Sequence, residues 1–166
     1  KEAEIFIDNL ISRLKIQKKS TILDVACGKG RHSVYLHTKD MNVVGIDLSS
    51  NSIKIAKEEE KKSLKFEIWD MRNVFKKNTF DIVVNLFTSF GYFETKEDEQ
   101  KTMNAMALNL KQNGILIIDF MNVKKVTKEL VAYEKKKIDN VTFEINRNIY
   151  NKYIIKNIKI SNNRKI

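Results

Sequence analysis

The 166-residue sequence contains no proline and a single cysteine, Cys27. One cysteine cannot form an internal disulfide, so the fold must rely on a buried core and suits the reducing cytoplasm. No apolar run approaches the roughly 18 residues that a membrane-spanning helix needs. The first residues are charged and amphipathic, which is not typical of a signal peptide. We therefore expect a cytoplasmic protein that has no membrane partner.

The sequence also lacks recognisable metal-ligand spacings. His32 and His37 are five residues apart, whereas a zinc pair on one helix face needs a spacing of about four. Cysteines and carboxylates supply no familiar ligand pattern either. We predict no metal site.

The net charge of +10 is unevenly distributed. Residues 1–120 carry 19 basic and 17 acidic side chains, whereas residues 121–166 carry 12 basic and 4 acidic ones. A basic segment can dock nucleic acid, but the whole chain is rich in Lys, Asn and Ile, and this composition alone explains the excess. We favour the compositional explanation and regard nucleic acid as an unlikely partner. The oligomeric state is not indicated by the sequence.

Helical and strand patterns alternate through the first 120 residues. Strands are predicted at 21–26, 42–47, 64–70, 80–86 and 115–120, and helices at 2–15, 31–39, 49–61 and 95–114. Because the strands are apolar on both faces, they predict a parallel sheet covered by helices on each side. Right-handed crossovers favour the order 3-2-1-4-5. The fold class is therefore α/β, with a doubly wound, mostly parallel sheet.

After residue 122 the pattern changes. Residues 123–132 predict a short helix, and residues 141–149 and 154–158 predict two strands joined by a turn at Asn151-Lys152. We therefore expect a core over residues 1–122 and an appended helix with an antiparallel hairpin over residues 123–166.

The carboxyl ends of the predicted strands carry small and acidic residues. Ligands bind at this edge of a doubly wound sheet. The small residues at 26, 28 and 30 let the backbone approach a ligand and expose amides at a helix start. Asp47 ends the second strand, where a carboxylate can bind both ribose hydroxyls. Asp70 and Met71 end the third, where a carboxylate and the next amide can read an adenine edge.

These segments together resemble class I S-adenosylmethionine-dependent methyltransferases. The resemblance covers residues 20–122 and rests on five segments in order, namely 22–30 (ILDVACGKG), 45–49 (GIDLS), 69–71 (WDM), 80–85 (FDIVVN) and 110–116 (LKQNGIL). It implies a Rossmann-like methyltransferase core that binds S-adenosylmethionine and releases S-adenosylhomocysteine. Ala26 departs from the family's usual glycine but is still small. Ser33 stands where the dinucleotide fingerprint requires glycine or alanine, which disfavours NAD.

The resemblance also implies roles for individual residues. The glycine turn would hold the methionine moiety, with Asp24 below it orienting loop amides. Asp47 would bind the ribose, Leu48 would lie against the adenine, and Asp70 would accept from the adenine amino group. Arg31 has two equal alternatives, the cofactor carboxylate or solvent. The cofactor-binding candidates are Asp24, Ala26, Cys27, Gly28, Gly30, Arg31, Asp47, Leu48, Asp70, Met71, Asn85 and Leu86.

Three of these candidates have ordinary structural alternatives. Asp47 could cap a helix, Asp70 could lie in a solvated turn, and Cys27 could be a small packing residue. The aromatic and hydroxylated segment 87–93 follows the fourth strand. Its Phe87, Ser89 and Tyr92 are candidates to face the substrate, the alternative being a loop packed on the core.

The sequence assigns no catalytic residue. A sulfonium methyl group is already activated, and positioning alone can supply about 7–11 kcal/mol of the barrier. An amine acceptor needs no dedicated base, so a small-molecule N-acceptor is slightly favoured. The alternatives are an RNA or protein methyltransferase that docks through the basic C-terminal segment, and a non-catalytic nucleotide- or cofactor-binding domain.

The family usually completes its sheet with two further strands, so we expect this chain to be part of a longer enzyme. Residues 123–166 would be a substrate-covering insertion that is incomplete at its C-terminus.

The basic segment 121–166 is predicted not to be a dedicated nucleic-acid surface. Its charges alternate with strand-forming Ile and Val, and it has few aromatic platforms for stacking bases. A filter-binding assay with RNA tests this. Sub-micromolar affinity that falls steeply with added salt would contradict it.

Overall fold

The computed structural model describes residues 2–87, 89–151 and 153–162, and the chain divides into two units, Lys1–Phe120 and Met121–Ile166. Among the described residues, no helix combines the length and apolar character needed to cross a membrane.

The first unit is a five-stranded parallel sheet with helices on both faces. The order β3-β2-β1-β4-β5 is the one that the sequence predicts, and every neighbouring pair is parallel. Its elements are α1 (Glu2–Leu14), β1 (Thr21–Val25), α2 (Arg31–Thr38), β2 (Asn42–Asp47), α3 (Ser50–Ala56), β3 (Leu64–Ile68), β4 (Phe80–Asn85), α4 (Lys96–Asn109) and β5 (Leu110–Ile118).

Alternate residues of the central strands pack into two separate hydrophobic clusters, one on each face of the sheet. Ile22 of β1 packs on one face with side chains from α1, α2 and α3, among them Ile7 and Leu36. Leu23, one residue later, packs on the opposite face with Met106 of α4. Successive side chains of a strand point to opposite faces, so a strand buried on both sides must be apolar throughout.

Several boundaries in this unit differ from the predicted ones, and β5 begins five residues earlier than expected. Helix α3 ends at Ala56 and continues only as a 3-10 turn over Lys57–Glu59, and β3 stops at Ile68. Helix α4 ends at Asn109 rather than near residue 114, because the backbone of Leu110 is extended and, as the first residue of β5, pairs with Phe80 of β4. Residues 113–114 therefore lie inside β5, where the register with β4 shifts.

The second unit contains α5 (Val123–Lys128) and a three-stranded antiparallel sheet in the order β6-β7-β8. The strands are β6 (Tyr133–Ile138), β7 (Val141–Tyr150) and β8 (Tyr153–Asn162). Strands β7 and β8 form the predicted hairpin, with Asn151 at positive φ in its turn, whereas Lys152 lies outside the described residues.

The prediction for residues 123–132 and beyond was incomplete. The helix is shorter than expected, and the sequence analysis missed β6. This strand is an exposed edge whose sequence, YEKKKI, has three consecutive lysines and no apolar alternation. An edge strand of this kind pairs through its backbone, which leaves little trace in the side-chain pattern.

Gly30→Ala is expected to destabilise the fold more than Gly28→Ala. Both residues have positive φ, so alanine is strained at either position. A methyl group at residue 30 would also lie 2.6 Å from the ring of Phe66, whereas one at residue 28 meets no atom within 4 Å. The buried Phe66 ring cannot move aside, so overpacking adds about 1–3 kcal/mol. Urea denaturation of both variants measures this difference, and equal losses of stability would contradict it.

Candidate functional site

The turn between β1 and α2 forms the centre of the predicted site. Ala26, Gly28 and Gly30 all have positive φ, which folds the backbone tightly before α2 begins. The Cys27 amide donates to the Ile46 carbonyl at 3.0 Å, so the turn is tied to β2. Gly28 faces open space on its side-chain side. At Gly28 the turn therefore leaves its backbone accessible on that side.

Asp47 holds this turn in place. Its Oδ2 accepts from the Gly28 amide at 2.8 Å, and its Oδ1 accepts from the Ser49 amide at 2.8 Å. The N-cap of α3 is Ser49, whose hydroxyl accepts from the Ser52 amide. Asp47 is therefore not the helix cap. Each carboxylate oxygen can accept a second hydrogen bond, so the group keeps capacity for a ligand.

Asp24 lies behind the turn and is 1% exposed. The Ser33 hydroxyl, in the first turn of α2, donates to its Oδ2 at 2.6 Å. Burial raises the pKa of Asp24 to about 7, with Asp47 adding to the rise and Ser33 opposing it. The sequence predicts that Asp24 orients loop amides. In the structure the Gly28 amide donates to Asp47, and Asp24 accepts from Ser33. Sequence analysis missed this role of Ser33.

Asp70 is engaged by a residue that the sequence analysis did not select. Its carboxylate accepts from the Arg72 backbone amide at 2.9 Å and from the Arg72 guanidinium at 2.6–3.1 Å. Arg72 also reaches Asp98 at 3.1 Å. Hydrogen bonding and the charge of Arg72 lower the pKa of Asp70 despite partial burial. The predicted contact to an adenine amino group would therefore compete with Arg72.

A cavity of about 130 Å³ joins the ends of β1, β2 and β3. Its lining residues are Ala26, Asp47, Leu48, Trp69, Asp70, Met71, Arg72 and Phe93. The structure thus brings together five residues that the sequence analysis chose separately at three strand ends. Leu48 is 68% exposed at the rim, where an aromatic ring could lie against it.

Asn85 and Leu86 occupy the end of β4 in different ways. The Asn85 amide group is fully buried and donates to the Val25 carbonyl at 2.9 Å. Its Oδ1 is buried and has no hydrogen-bond donor among the described residues. Leu86 packs into the core beside Ile7 and Ile22. Of these two predicted residues, only Asn85 therefore has a buried polar atom to offer a ligand.

The Phe87 ring lies over α2. It stacks on His32 at 4.5 Å between ring centroids, and the Arg31 guanidinium lies 5.2 Å from its centroid. The Phe87 backbone has a φ of 57°, held by a 3.0 Å hydrogen bond from its amide to Asp119. Arg31, His32 and Phe87 together line one end of a cavity of about 450 Å³ between α1 and α2. Arg31 therefore faces this cavity rather than bulk solvent alone.

His32 is uncharged at neutral pH. Burial and the neighbouring Arg31 lower the pKa of His32 to about 4, and Asp119 opposes the change only in part. Arg31 Nη2 lies 3.0 Å from His32 Nε2, and because a guanidinium can only donate, Nε2 is the acceptor. The sequence analysis considered His32 only as a metal ligand. Within the described residues, no group of three or more possible ligands could hold a metal ion.

The remaining predicted residues differ in accessibility. Ser89 donates from its hydroxyl to the Leu86 carbonyl at 2.9 Å, whereas Tyr92 is 80% exposed. Cys27 is buried in the core, and desolvation raises the pKa of its thiol. Cys27 is therefore a packing residue and not a nucleophile.

Comparison with known proteins shows which family the chain matches. A family model described as "Methyltransferase domain" matches residues 16–157, which is most of the chain. The chain is 35% identical over 114 residues to the "Putative methyltransferase YqeM" of Bacillus subtilis (strain 168), covering 67% of this chain and 46% of that protein. It is 32% identical over 133 residues to the "Glycine/sarcosine N-methyltransferase" of Aphanothece halophytica, covering 77% and 49%. The chain spans about half the length of these relatives.

Two solved structures share the fold. A S-adenosylmethionine-dependent methyltransferase from Clostridium acetobutylicum ATCC 824 superposes with a TM-score of 0.74 at 19% identity, covering 95% of this chain and 71% of that one. SAM-bound CalS10, an amino pentose methyltransferase from Micromonospora echinaspora, superposes with a TM-score of 0.71 at 18% identity, covering 96% and 74%.

Asp24 is expected to make stability pH-dependent. Its pKa is about 7 when folded, against an ordinary 3.8. The folded state therefore binds the proton more tightly, and this stabilisation is complete below about pH 4 and lost as pH rises through 7. At about 1.4 kcal/mol per pKa unit, the loss amounts to roughly 4 kcal/mol. Asp24→Asn keeps an acceptor for Ser33 but cannot ionise. We expect the free energy of unfolding, measured by denaturation at several pH values, to fall between pH 4 and 7 in the unsubstituted chain but not in Asp24→Asn. A difference between the two proteins that stays constant with pH would contradict this.

Proposed function

The chain belongs to the S-adenosylmethionine-dependent class I methyltransferase family, and on that premise we propose that it transfers the cofactor's methyl group to the amine of a small molecule. The observation that carries the proposal is the convergence of Asp47, Asp70 and the side-chain-free turn at Gly28 on one edge of the sheet.

The residues at this edge fit the cofactor. Asp47 has spare acceptor capacity for two ribose hydroxyls, and Leu48 and Met71 offer apolar surface to a base. The buried Oδ1 of Asn85 needs a donor, and an ammonium group is a suitable one. The open space beside Gly28 admits a ligand close to the backbone. These acidic, apolar and backbone groups support binding of an adenosine with an amino acid tail at this edge.

The cofactor, when bound, supplies a sulfonium methyl group that is already activated for transfer. The protein's residues must then hold an acceptor nearby and keep water away from it. Phe87 contributes a ring fixed by its stacking on His32 and by the Asp119 hydrogen bond to its amide. A ring held on two sides loses little entropy when an acceptor packs against it, and positioning is the main requirement of this reaction.

The charge state near Phe87 favours a nitrogen acceptor. His32 is neutral and already accepts a hydrogen bond from Arg31, so it is a poor base for an alcohol or phenol. A neutral amine needs no such base. One similar protein, 32% identical, is named a glycine/sarcosine N-methyltransferase. These observations support an amine as the acceptor.

A screen with radiolabelled methyl donor tests the proposal. We expect label in amines such as glycine, sarcosine or amino sugars, and none in the matching alcohols. Transfer only to alcohols or phenols would contradict the N-acceptor. Binding of S-adenosylhomocysteine without transfer to any acceptor would favour the non-catalytic alternative.

The variant Asp47→Ala tests the proposed ribose-binding role of this carboxylate. Each lost hydrogen bond to a charged group costs about 1.5–3 kcal/mol, so affinity for S-adenosylhomocysteine should fall at least tenfold in calorimetry. Asp40→Ala is the matched control, because that exposed carboxylate pairs with Lys18 away from the cleft. Unchanged cofactor affinity in Asp47→Ala would remove this residue from the ribose site.

A further inference from the structure

A further cavity lies at the opposite edge of the parallel sheet. It has a volume of about 550 Å³ and opens among the first residues of β1, β2, β3 and β4. Because β1 has five residues, each rising about 3.3 Å, this cavity is roughly 15 Å from the edge that holds the cofactor candidates. The proposed methyl transfer makes no use of it.

The cavity combines an apolar floor with polar walls. Val44 and Phe80, which pack on the same face of the sheet, form the apolar part, and Asn42 and Ser63 also line the cavity. The volume falls within the range of about 300–1,000 Å³ that is usual for small-ligand sites. A ligand that fills it would therefore bury a hydrophobic portion and present polar groups to the rim.

The charge at the rim is positive. Lys62, Lys65 and Lys76 all line the cavity. Lys65 reaches Glu60 only at 3.7 Å, and Lys76 lies 5.1 Å from the Phe75 ring centroid. In the described part of the chain, neither Lys62 nor Lys76 lies within ion-pair distance of a carboxylate. This concentration is notable because the first 120 residues carry a net charge of only +2.

The neighbouring surface is also rich in lysine. An adjoining cavity of about 640 Å³ shares Asn42 and Ser63 with the cavity of about 550 Å³ and adds Lys18 and Lys19. Its carboxylate, Asp40, is already paired with Lys18 at 2.9 Å. Negative charge is therefore neutralised locally while positive charge remains at the rim.

We propose that this cavity, defined by Val44, Ser63, Phe80, Lys62, Lys65 and Lys76, binds a nucleotide-sized molecule that carries phosphate groups. Its apolar floor accommodates a planar base and its lysines bind the phosphates, since ammonium groups are effective phosphate ligands. Inorganic phosphates would bind the lysines but would not occupy the apolar floor.

The test uses uridine diphosphate, whose base differs from the adenine of the cofactor, with the full chain saturated with S-adenosylhomocysteine. Calorimetry should detect binding that weakens as salt is added. NMR amide shifts should change at Val44 and Ser63 and not at Gly28. The double variant Lys62→Gln/Lys76→Gln should bind at least tenfold more weakly, whereas Lys124→Gln/Lys128→Gln in α5, with the same loss of charge, should bind normally.

Several results would overturn the proposal. These are no binding to the chain saturated with S-adenosylhomocysteine, or equal affinity in the two double variants. Pyrophosphate binding as tightly as uridine diphosphate would show that the apolar floor contributes nothing and would refute a nucleotide ligand. An RNA oligonucleotide that binds where uridine diphosphate does not would refute it as well.

Discussion

The candidate site depends on one carboxylate, that of Asp47. Its two oxygens hold the amides of Gly28 and Ser49, so a single side chain fixes the turn after β1 against the beginning of α3. The parallel sheet brings these segments to the same edge but does not bond them to each other. Because the same carboxylate keeps acceptor capacity toward the cleft, the group that shapes the site is also the one best placed to bind a ribose.

Much of the fold follows from the sequence because the central strands leave few choices. Residues such as Ile22 and Leu23 are both apolar and both buried, on opposite faces, and only a sheet covered by helices on each side accommodates them. The β6 strand was not predictable in this way. Its backbone pairs with β7 while its lysines remain in water, so side-chain periodicity carries no signal for it.

In the site, the positions of the acidic residues were predictable from the sequence, but their hydrogen-bond partners were not. Strand ends located Asp24, Asp47 and Asp70, because parallel strands deliver their last residues to a common edge. The partners of these carboxylates were not predictable. Ser33 and Arg72 reach Asp24 and Asp70 through the direction of a helix turn and the bend of a loop, and sequence spacing does not encode either direction.

Cys27 allows local opening of the turn between β1 and α2 to be measured directly. It is the chain's only thiol, it is buried, and desolvation raises the pKa of its thiol, so alkylating reagents cannot reach a reactive form in the closed turn. Labelling therefore proceeds only during local opening, and its rate reports the free energy of that opening without any engineered probe. A ligand that ties the turn to β2 would slow the reaction in proportion to how strongly it suppresses the open state. The sequence thus contains its own reporter for events at the centre of the site.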